Sequence, residues 1–354
     1  MTAVERVQAF LPDETTAALI TSDVNRRYLS GFTSSAGAVL VTRTRAILLL
    51  DFRYFEAAQK SVQPPIEVMR MQRMTEDINN IIPTENIKTI LIEDESITLA
   101  VFRQLDEALA AQVLAGGLSE KLSEIRMVKT PDEVEKIITA QRITERAYTE
   151  VLNLLRPGVT EREIAVELEH LIHVYGGERV AFDLICITGA NTSLPHGVPG
   201  ERVVRDGDFF TFDIGAVYDG YHSDMTRTVA VGHASDEMRM IYETVLEAHK
   251  KAQRAIRAGV PAAEVDAAAR DHIAMCGYGD YFGHSTGHGV GLEIHEAPAV
   301  SGRCGTILAD GMVITDEPGI YLPGRFGVRI EDMFLVKGDE AVDLAEIPKE
   351  LIII

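Results

Sequence analysis

The chain has 354 residues, more than one hydrophobic core usually organises, so two domains are expected. A hydrophobic content of 46% and a charged content of 25% exclude a mainly disordered chain. With 54 acidic and 34 basic residues the formal net charge is -20, which repels nucleic-acid phosphates and anionic membrane surfaces and argues against both as partners.

The start of the chain and its cysteines favour a cytoplasmic protein. The first twenty residues contain no basic segment followed by an apolar core, and no apolar run approaches the ~18 residues of a membrane span. Cys186, Cys276 and Cys304 lack CxxC spacing, and an odd number cannot all pair within one chain. We interpret them as small buried apolar residues in a reducing compartment.

Residues 1–125 are predicted to form a small α/β domain, because short runs rich in Val, Ile and Leu alternate with helical patterns. The predicted strands cover residues 17–21, 38–42, 46–51 and 89–93. Helices are predicted for residues 53–60 and 99–111. The pattern breaks after Gly116-Gly117, so a second domain is expected to span residues 126–354.

The second domain begins with a strong helix start. Thr130, Pro131 and Glu133 supply an N-cap hydroxyl, a first-turn proline and a capping-box glutamate. Apolar residues at helical spacing follow until Pro157-Gly158, where the long helix is predicted to end.

A weak internal repeat follows that helix. Arg156-Pro157-Gly158-Val159 and the later Glu163-Ile164 and Gly176 each have a counterpart 101 positions farther on, the first being Arg257-Ala258-Gly259-Val260. The predicted fold class is therefore α+β, with two pseudo-symmetric helix–helix–strands halves around a shared sheet. A crevice between such halves would suit a site with ligands from both.

Two aspartates of the first half are candidate ligands. Asp213 lies within the apolar run 209–215, where an unpaired carboxylate is costly to bury and calls for a cation. Asp224 follows eleven residues later at the start of another strand-like run, so a hairpin would bring the two carboxylates together. A turn-capping role explains Asp224 by itself but not Asp213.

The second half adds histidines and glutamates. His284, His288 and His295 fall within twelve residues of a glycine-rich segment, whose glycines are expected to let the backbone approach a ligand closely. Glu317 and Glu331 each end a strand-like run. Four carboxylates and one imidazole (His288) form a hard ligand set that suits manganese, cobalt or iron, and their charge favours two divalent ions that activate a water.

These residues resemble the pita-bread peptidases, in particular the Xaa-Pro dipeptidases (prolidases) and aminopeptidases P. The matching segments run through nearly the whole chain: residues 25–37, 51–54, 193–197, 212–215, 223–228, 287–296, 317–321, 327–332 and 348–353. The resemblance implies an N-terminal creatinase/prolidase-type α/β domain, a pita-bread catalytic domain and a homodimer. It implies hydrolysis of the bond before proline in small peptides, with manganese expected first, cobalt as the alternative and zinc also compatible.

The resemblance also implies roles for single residues. Asp213, Asp224, His288, Glu317 and Glu331 would bind the metals, with Asp224 and Glu331 bridging both ions. Glu317 would carry a proton from the bridging water, and His295 would hold the scissile carbonyl. His196 and His284 would line the peptide pocket, and Arg329 would orient Glu331.

Two departures from the family pattern leave the substrate length open. Asp316 replaces a usually apolar residue and is expected to add negative charge near the metals. Ala299 stands where some dipeptidases carry an arginine for the substrate carboxylate, a role that Arg303 would have to take. Aminopeptidase P is therefore the alternative to a dipeptidase. The intact ligand set argues against an inactive binding module and a creatinase-type enzyme, and the long N-terminal region argues against methionine aminopeptidase.

Overall fold

The computed structural model describes residues 1–354 and divides the chain into two compact units, Met1–Arg126 and Met127–Ile354. The sequence placed this division between residues 125 and 126. None of the helices is both long and apolar enough to cross a membrane.

The first unit contains a six-stranded mixed sheet with apolar clusters on both faces. Its strands are β1 (Thr16–Ile20), β2 (Ala38–Val41), β3 (Ala46–Leu50), β4 (Ile66–Arg70), β5 (Thr89–Ile92) and β6 (Gln112–Ala115). Its helices are α1 (Ala3–Phe10), α2 (Asp23–Ser30), α3 (Phe52–Ser61), α4 (Met74–Ile81), α5 (Leu99–Ala108) and α6 (Leu118–Met127).

The four predicted strands of this unit are confirmed as β1, β2, β3 and β5, and the two predicted helices as α3 and α5. The sheet order is β4-β3-β2-β1-β5-β6. The sequence missed both edge strands, β4 and β6, because exposed polar residues interrupt their apolar pattern. Edge strands are half-solvated, so their sequence pattern is weaker than that of a buried central strand.

The second unit runs helix–helix–strands twice, which confirms the predicted fold class. Its helices are α7 (Pro131–Val151), α8 (Glu161–Val174), α9 (Asp236–Ala255) and α10 (Ala262–Met275). Helices α8 and α10 have 14 residues each and begin 101 positions apart, as the repeat requires. Helix α7 has the predicted capping box of Thr130 and Glu133 but ends earlier than predicted, in a 3₁₀ turn at Leu152–Leu154. The tighter turn ends the helix before Arg156, whose following proline disfavours a helical backbone.

Short strands follow each helix pair of the second unit. In the first half they are β7 (Arg179–Val180), β8 (Ile185–Thr188), β9 (Phe209–Ile214), β10 (Ala216–Tyr218), β11 (Tyr221–His222) and β12 (Met225–Ala230). In the second half they are β13 (Gly287–Gly289), β14 (Glu296–Val300), β15 (Val313–Asp316), β16 (Gly319–Leu322), β17 (Phe326–Arg329), β18 (Asp332–Lys337) and β19 (Glu340–Asp343).

Each half packs its helices on its own apolar cluster. Tyr148 and Phe212 belong to the first cluster, and Val245 and Phe334 to the second. Since the helices cover one side of these strands, the ends and the other side of the strands remain for a site. The halves meet at a backbone bridge between Thr226 and Glu331.

Candidate metal centre

The hairpin of β9 and β12 places Asp213 and Asp224 on one face. Asp213 lies in β9 directly opposite Thr226, and Asp224 immediately precedes β12. In an antiparallel pair, residues two positions apart share a face, so both carboxylates point the same way. Both are buried. The predicted hairpin arrangement is confirmed.

The second half supplies the other candidate ligands from strand ends. His288 lies in β13, Glu317 follows β15 and Glu331 precedes β18. Strands β15 and β18 are antiparallel with Asp316 opposite Asp332, so Glu317 and Glu331 come next to each other on the opposite face. The Thr226 hydroxyl donates to the Glu331 carboxylate at 2.6 Å and thereby links the two halves at the site.

These side chains converge on one cavity of 450 Å³. Potential ligand atoms of Asp224, His288 and Glu331 all lie within 4.8 Å of one another. The Nε2 atom of His288 is 3.5 Å from a carboxylate oxygen of Asp224 and 3.5 Å from one of Glu317. All the site residues predicted from the sequence line this cavity: Asp213, Asp224, His288, Glu317, Glu331, His196, His284, His295 and Arg329.

The carboxylates repel one another strongly. Burial, and then the charges of Asp213 and Glu317, raise the pKa of Asp224 well above its usual value. Burial, and then Asp224 and Glu317, do the same to the pKa of Glu331. Burial raises the pKa of Glu317 to about 8 although Arg329 opposes this. Bringing these groups to their ionised form therefore requires more positive charge than Arg329 provides.

His288 has the ionisation state and orientation of a metal ligand. Burial lowers the pKa of His288 to about 4, so the imidazole is neutral near pH 7. Its Nδ1 atom lies 3.1 Å from the Gly289 carbonyl oxygen and donates to it. The Nε2 lone pair therefore points toward Asp224 and Glu317, as metal-binding histidines require.

Arg329 begins a hydrogen-bonded chain along the cavity wall. Its guanidinium donates to Asp213 and, at 2.8 Å, to the Tyr321 hydroxyl oxygen. Tyr321 in turn donates to Nε2 of His284 at 2.9 Å. Arg329 was predicted to orient Glu331, but its direct ion pair is with Asp213. Its Nε also donates to the Thr226 hydroxyl at 3.2 Å, and that hydroxyl donates to Glu331, so Arg329 reaches Glu331 through Thr226.

Asp316 and Asp332 face away from the cavity, into a second cluster of buried charges. The Asp316 carboxylate lies 3.1 Å from Nδ1 of His249, and Asp332 lies 3.2 Å from Nε2 of the same ring. Asp332 also pairs with Arg227 at 2.7 Å and with Lys349 at 3.0 Å. The Asp316 carboxylate therefore points away from the cavity, because successive strand residues point to opposite faces, although its charge contributes to the raised pKa of Glu317.

Gly287 and Gly289 serve strand packing. A Cβ atom on Gly287 would lie 2.1 Å from the Thr315 carbonyl oxygen, and one on Gly289 would lie 2.2 Å from that of Ala297. They allow β13 to approach its two neighbouring strands. The close approach that the structure shows is between protein backbones, and Gly287 also lines the cavity.

Comparison with known families decides what this centre is. The model of metallopeptidase family M24 matches residues 135–338, and that of the creatinase/prolidase N-terminal domain matches residues 4–128. The chain belongs to metallopeptidase family M24. It is therefore a metal-dependent hydrolase of peptide bonds, and the family resemblance and fold class expected from the sequence are confirmed.

Relatives of this M24 peptidase cover almost the whole chain. An Xaa-Pro dipeptidase of Pyrococcus horikoshii is 38% identical over 95% of this chain and 94% of that protein. The structure of an Xaa-Pro dipeptidase from Bacillus anthracis is 39% identical, covers 99% of each chain and superposes with a TM-score of 0.95. An X-Pro aminopeptidase structure from Thermotoga maritima is 36% identical, covers 100% of each chain and gives a TM-score of 0.91.

Several residues of the M24 centre were not singled out from the sequence. Thr226 contacts the candidate ligand Glu331, Tyr321 contacts Arg329, and Phe182 and Asp183 line the cavity. Tyr321 was part of a recognised motif, but its contact with Arg329 depends on the β16–β17 hairpin. No sequence pattern marks Phe182 or Asp183. Among the cysteines, Cys186 is buried as interpreted, but Cys276 is exposed.

Proposed function

We propose that this M24 peptidase hydrolyses the peptide bond before proline in Xaa-Pro dipeptides, with two divalent ions bound by Asp213, Asp224, His288, Glu317 and Glu331. The observation that carries the proposal is the charge balance of the cavity. The carboxylates of the four candidate ligands converge there with that of Asp183, one guanidinium and the neutral imidazole of His288. Buried charge of this kind has to be compensated.

The donor set fits divalent metals. Carboxylate oxygens with one imidazole nitrogen suit manganese, with cobalt as the alternative and zinc also compatible. When bound, two such ions would lower the pKa of a water molecule and polarise the scissile carbonyl. The surrounding residues hold the ligands in place, since Arg329 binds Asp213 and Thr226 binds Glu331.

Proton transfer is assigned to Glu317. Hydrolysis requires that the attacking water lose a proton and that the proline nitrogen gain one. The Glu317 carboxylate is only 17% exposed, faces the cavity and has a raised pKa, so it can hold that proton between the two steps. His295 lies at the cavity mouth with its ring centroid 4.3 Å from that of His288, where it can donate to the carbonyl oxygen of the substrate.

The proline preference draws on the cavity wall and on the relatives. The cavity is also lined by Phe182, Ile185, Pro195 and Ile294, which provide apolar surface suited to a pyrrolidine ring. Relatives that match nearly the whole chain carry the names Xaa-Pro dipeptidase and X-Pro aminopeptidase. The expected homodimer and cytoplasmic location remain predictions.

Aminopeptidase P activity is the second candidate, and Ala299 favours it. Ala299 lines the cavity opposite His288 on the neighbouring strand, whereas Arg303 is exposed and does not line the cavity. The substrate carboxylate of a dipeptide would therefore lack an arginine partner at this position. A longer peptide would not need one.

A matched peptide series tests the substrate proposal. Purified protein loaded with manganese, cobalt or zinc is incubated with Ala-Pro, Ala-Pro amide, Ala-Pro-Ala and Ala-Ala. A dipeptidase should cleave Ala-Pro faster than its amide and leave Ala-Ala intact. Preference for Ala-Pro-Ala would establish the aminopeptidase candidate instead, and equal cleavage of Ala-Ala would refute proline specificity.

A further inference from the structure

An ion pair on α10 lies behind the cavity wall. Arg270 donates from Nε and Nη2 to both carboxylate oxygens of Asp266, at 2.9 and 2.7 Å. The Asp266 side chain is 2% exposed and that of Arg270 is 36% exposed. Neither residue lines the cavity, and neither has a role in the chemistry described above.

Arg270 also fastens the segment that carries His284. Its Nη1 donates to the Phe282 carbonyl at 3.0 Å and its Nη2 to the His284 carbonyl at 2.7 Å. The guanidinium carbon stacks over the Phe282 ring, 4.3 Å from its centroid. That ring also contacts the His284 imidazole, edge to face, with 5.0 Å between centroids. Arg270 thus fixes both the backbone and the ring position of His284.

The orientation of His284 matters for the rest of the site. Its Nδ1 donates to the Ser285 carbonyl at 2.8 Å, so Nε2 is free to accept from Tyr321. Tyr321 then accepts from Arg329, which holds Asp213. A rotated or flipped imidazole would break this chain and change the wall that faces the peptide.

Asp266 has a separate contact with the site. Its carboxylate accepts from the Thr286 hydroxyl at 2.7 Å, and the Thr286 carbonyl accepts from the Glu317 amide at 2.8 Å. A change at Asp266 would therefore disturb Glu317 as well as His284. Arg270 is the cleaner probe because its contacts beyond Asp266 lead only to Phe282 and His284.

We propose that Arg270 is a positioning residue that sets the tautomer and orientation of His284, and through it the peptide-binding wall of the site. The part of the proposal that concerns peptide binding rests on the proposed function. The part that concerns the imidazole does not.

The first test is a pair of substitutions analysed together. Arg270→Met keeps an unbranched side chain but loses the guanidinium with its five donors, and kcat/KM is expected to fall about tenfold through a higher KM. His284→Ala should lower kcat/KM by a similar or larger factor. If Arg270 acts through His284, the double variant should match His284→Ala alone. Independent, multiplied losses, or full activity of Arg270→Met, would overturn the proposal.

Arg142→Met is the matched control. Arg142 has the same 36% exposure and also pairs with a buried glutamate one turn along its helix, but it contacts no segment of the cavity wall. It should leave kcat/KM unchanged. Bound metal, measured by elemental analysis, should be equal in all these variants.

The second test needs neither metal nor peptide. In metal-free protein with ¹⁵N-labelled histidine, the His284 signal is assigned by its loss in His284→Ala. Wild-type protein and Arg142→Met should show the Nδ1–H tautomer, and Arg270→Met should show a mixture. An unchanged tautomer would overturn the proposal even if no proline peptide were ever cleaved.

Arg270→Lys tests the positioning role of Arg270 if the Arg270→Met variant does not fold. A lysine keeps the pair with Asp266, but its single ammonium cannot reach both carbonyl oxygens in the geometry of a guanidinium. A smaller loss of kcat/KM, about threefold, and partial loss of the Nδ1–H tautomer are expected. A native tautomer and native KM in this variant would refute the positioning role.

Discussion

Glu317 and Asp316 are neighbours in sequence, as are Glu331 and Asp332, yet the two members of each pair lie in opposite electrostatic environments. The glutamates face the cavity, where the carboxylates outnumber the single guanidinium of Arg329. The aspartates face the core, where His249, Arg227 and Lys349 surround them. Both faces are buried, so burial alone does not distinguish them.

The pKa values express this difference. On the cavity face burial raises the pKa of Glu317 to about 8 and that of Glu331 well above its usual value. On the core face burial would raise the pKa of Asp332, but Arg227 and His249 outweigh it and lower that pKa below its usual range. Asp316, with His249 as its cation, has a pKa raised by burial only to about 6.

Successive residues of one sheet thus alternate between a face that binds a ligand and a face that stabilises the fold. The core face carries its own counter-charges. The cavity face lacks them, and we infer that metal ions supply them. The following predictions test that distinction.

The largest effect is expected on the cavity face. Glu331→Gln should lower kcat/KM more than about a hundredfold, because even residues that only support metal ligands cost about 10–100-fold when changed. Bound metal, measured by elemental analysis, should fall with activity. Glu340→Gln on the exposed strand β19 is the control. A full metal complement in Glu331→Gln would show that this carboxylate is not a ligand.

A histidine at the cavity should matter for turnover and not for folding. His295→Ala removes a donor to the substrate carbonyl, and kcat is expected to fall about a hundredfold. Metal content and the free energy of unfolding should stay close to wild type, because His295 is exposed. Loss of metal in this variant would mean that His288 and His295 have exchanged roles.

A histidine on the core face should matter for folding and not for metal binding. Burial would lower the pKa of His249, but Asp316 and Asp332 outweigh it and raise that pKa to about 9. His249→Leu should cost about 2 kcal/mol in urea unfolding, because Asp316 is left without a cation but can take up a proton. The double variant with Asp316→Val should recover most of that loss, since apolar residues often replace a buried ion pair without cost. No recovery would contradict the pairing.

The smallest effect is a pH dependence that metal should remove. In metal-free protein the folded Glu317 keeps its proton up to about pH 8, whereas the unfolded chain loses it near its usual pKa of 4.5. The folded state binds this proton between these values, so Glu317 alone should lower the free energy of unfolding as pH rises, by at most about 1.4 kcal/mol per unit.

Metal binding requires deprotonated ligands, so saturating manganese should abolish this slope. Urea unfolding across the same pH interval, with and without manganese, measures both. An identical slope in the two series would mean that Glu317 is not part of the metal centre.

The sequence was sufficient to name the candidate metal ligands. It was insufficient to predict toward which face of the sheet each neighbouring side chain points. Ligand types, the repeat and the hairpin of Asp213 and Asp224 all follow from residue chemistry and spacing. The role of Asp316 does not, although strict strand alternation could have separated it from Glu317. Its partner His249 lies 67 residues away on α9, and no local sequence pattern indicates that the two residues form a pair.

The residues that hydrogen-bond to the candidate ligands were equally difficult to predict from the sequence. The family resemblance assigned Arg329 to Glu331, but it does not show that the fold pairs Arg329 directly with Asp213 in the other half and reaches Glu331 through Thr226. Such contacts depend on how β9, β12 and β17 meet, which spacing along the chain does not encode.

The register between β15 and β18 determines which kinds of mutation this protein tolerates. Asp316 is opposite Asp332, and the alternation of the two strands continues through Glu317 and Glu331. Loss of a single codon within residues 313–316 would shift Glu317 by one position and turn it into the core, without altering any residue of the site. Conservative substitutions in this stretch should thus be tolerated far better than any one-residue insertion or deletion.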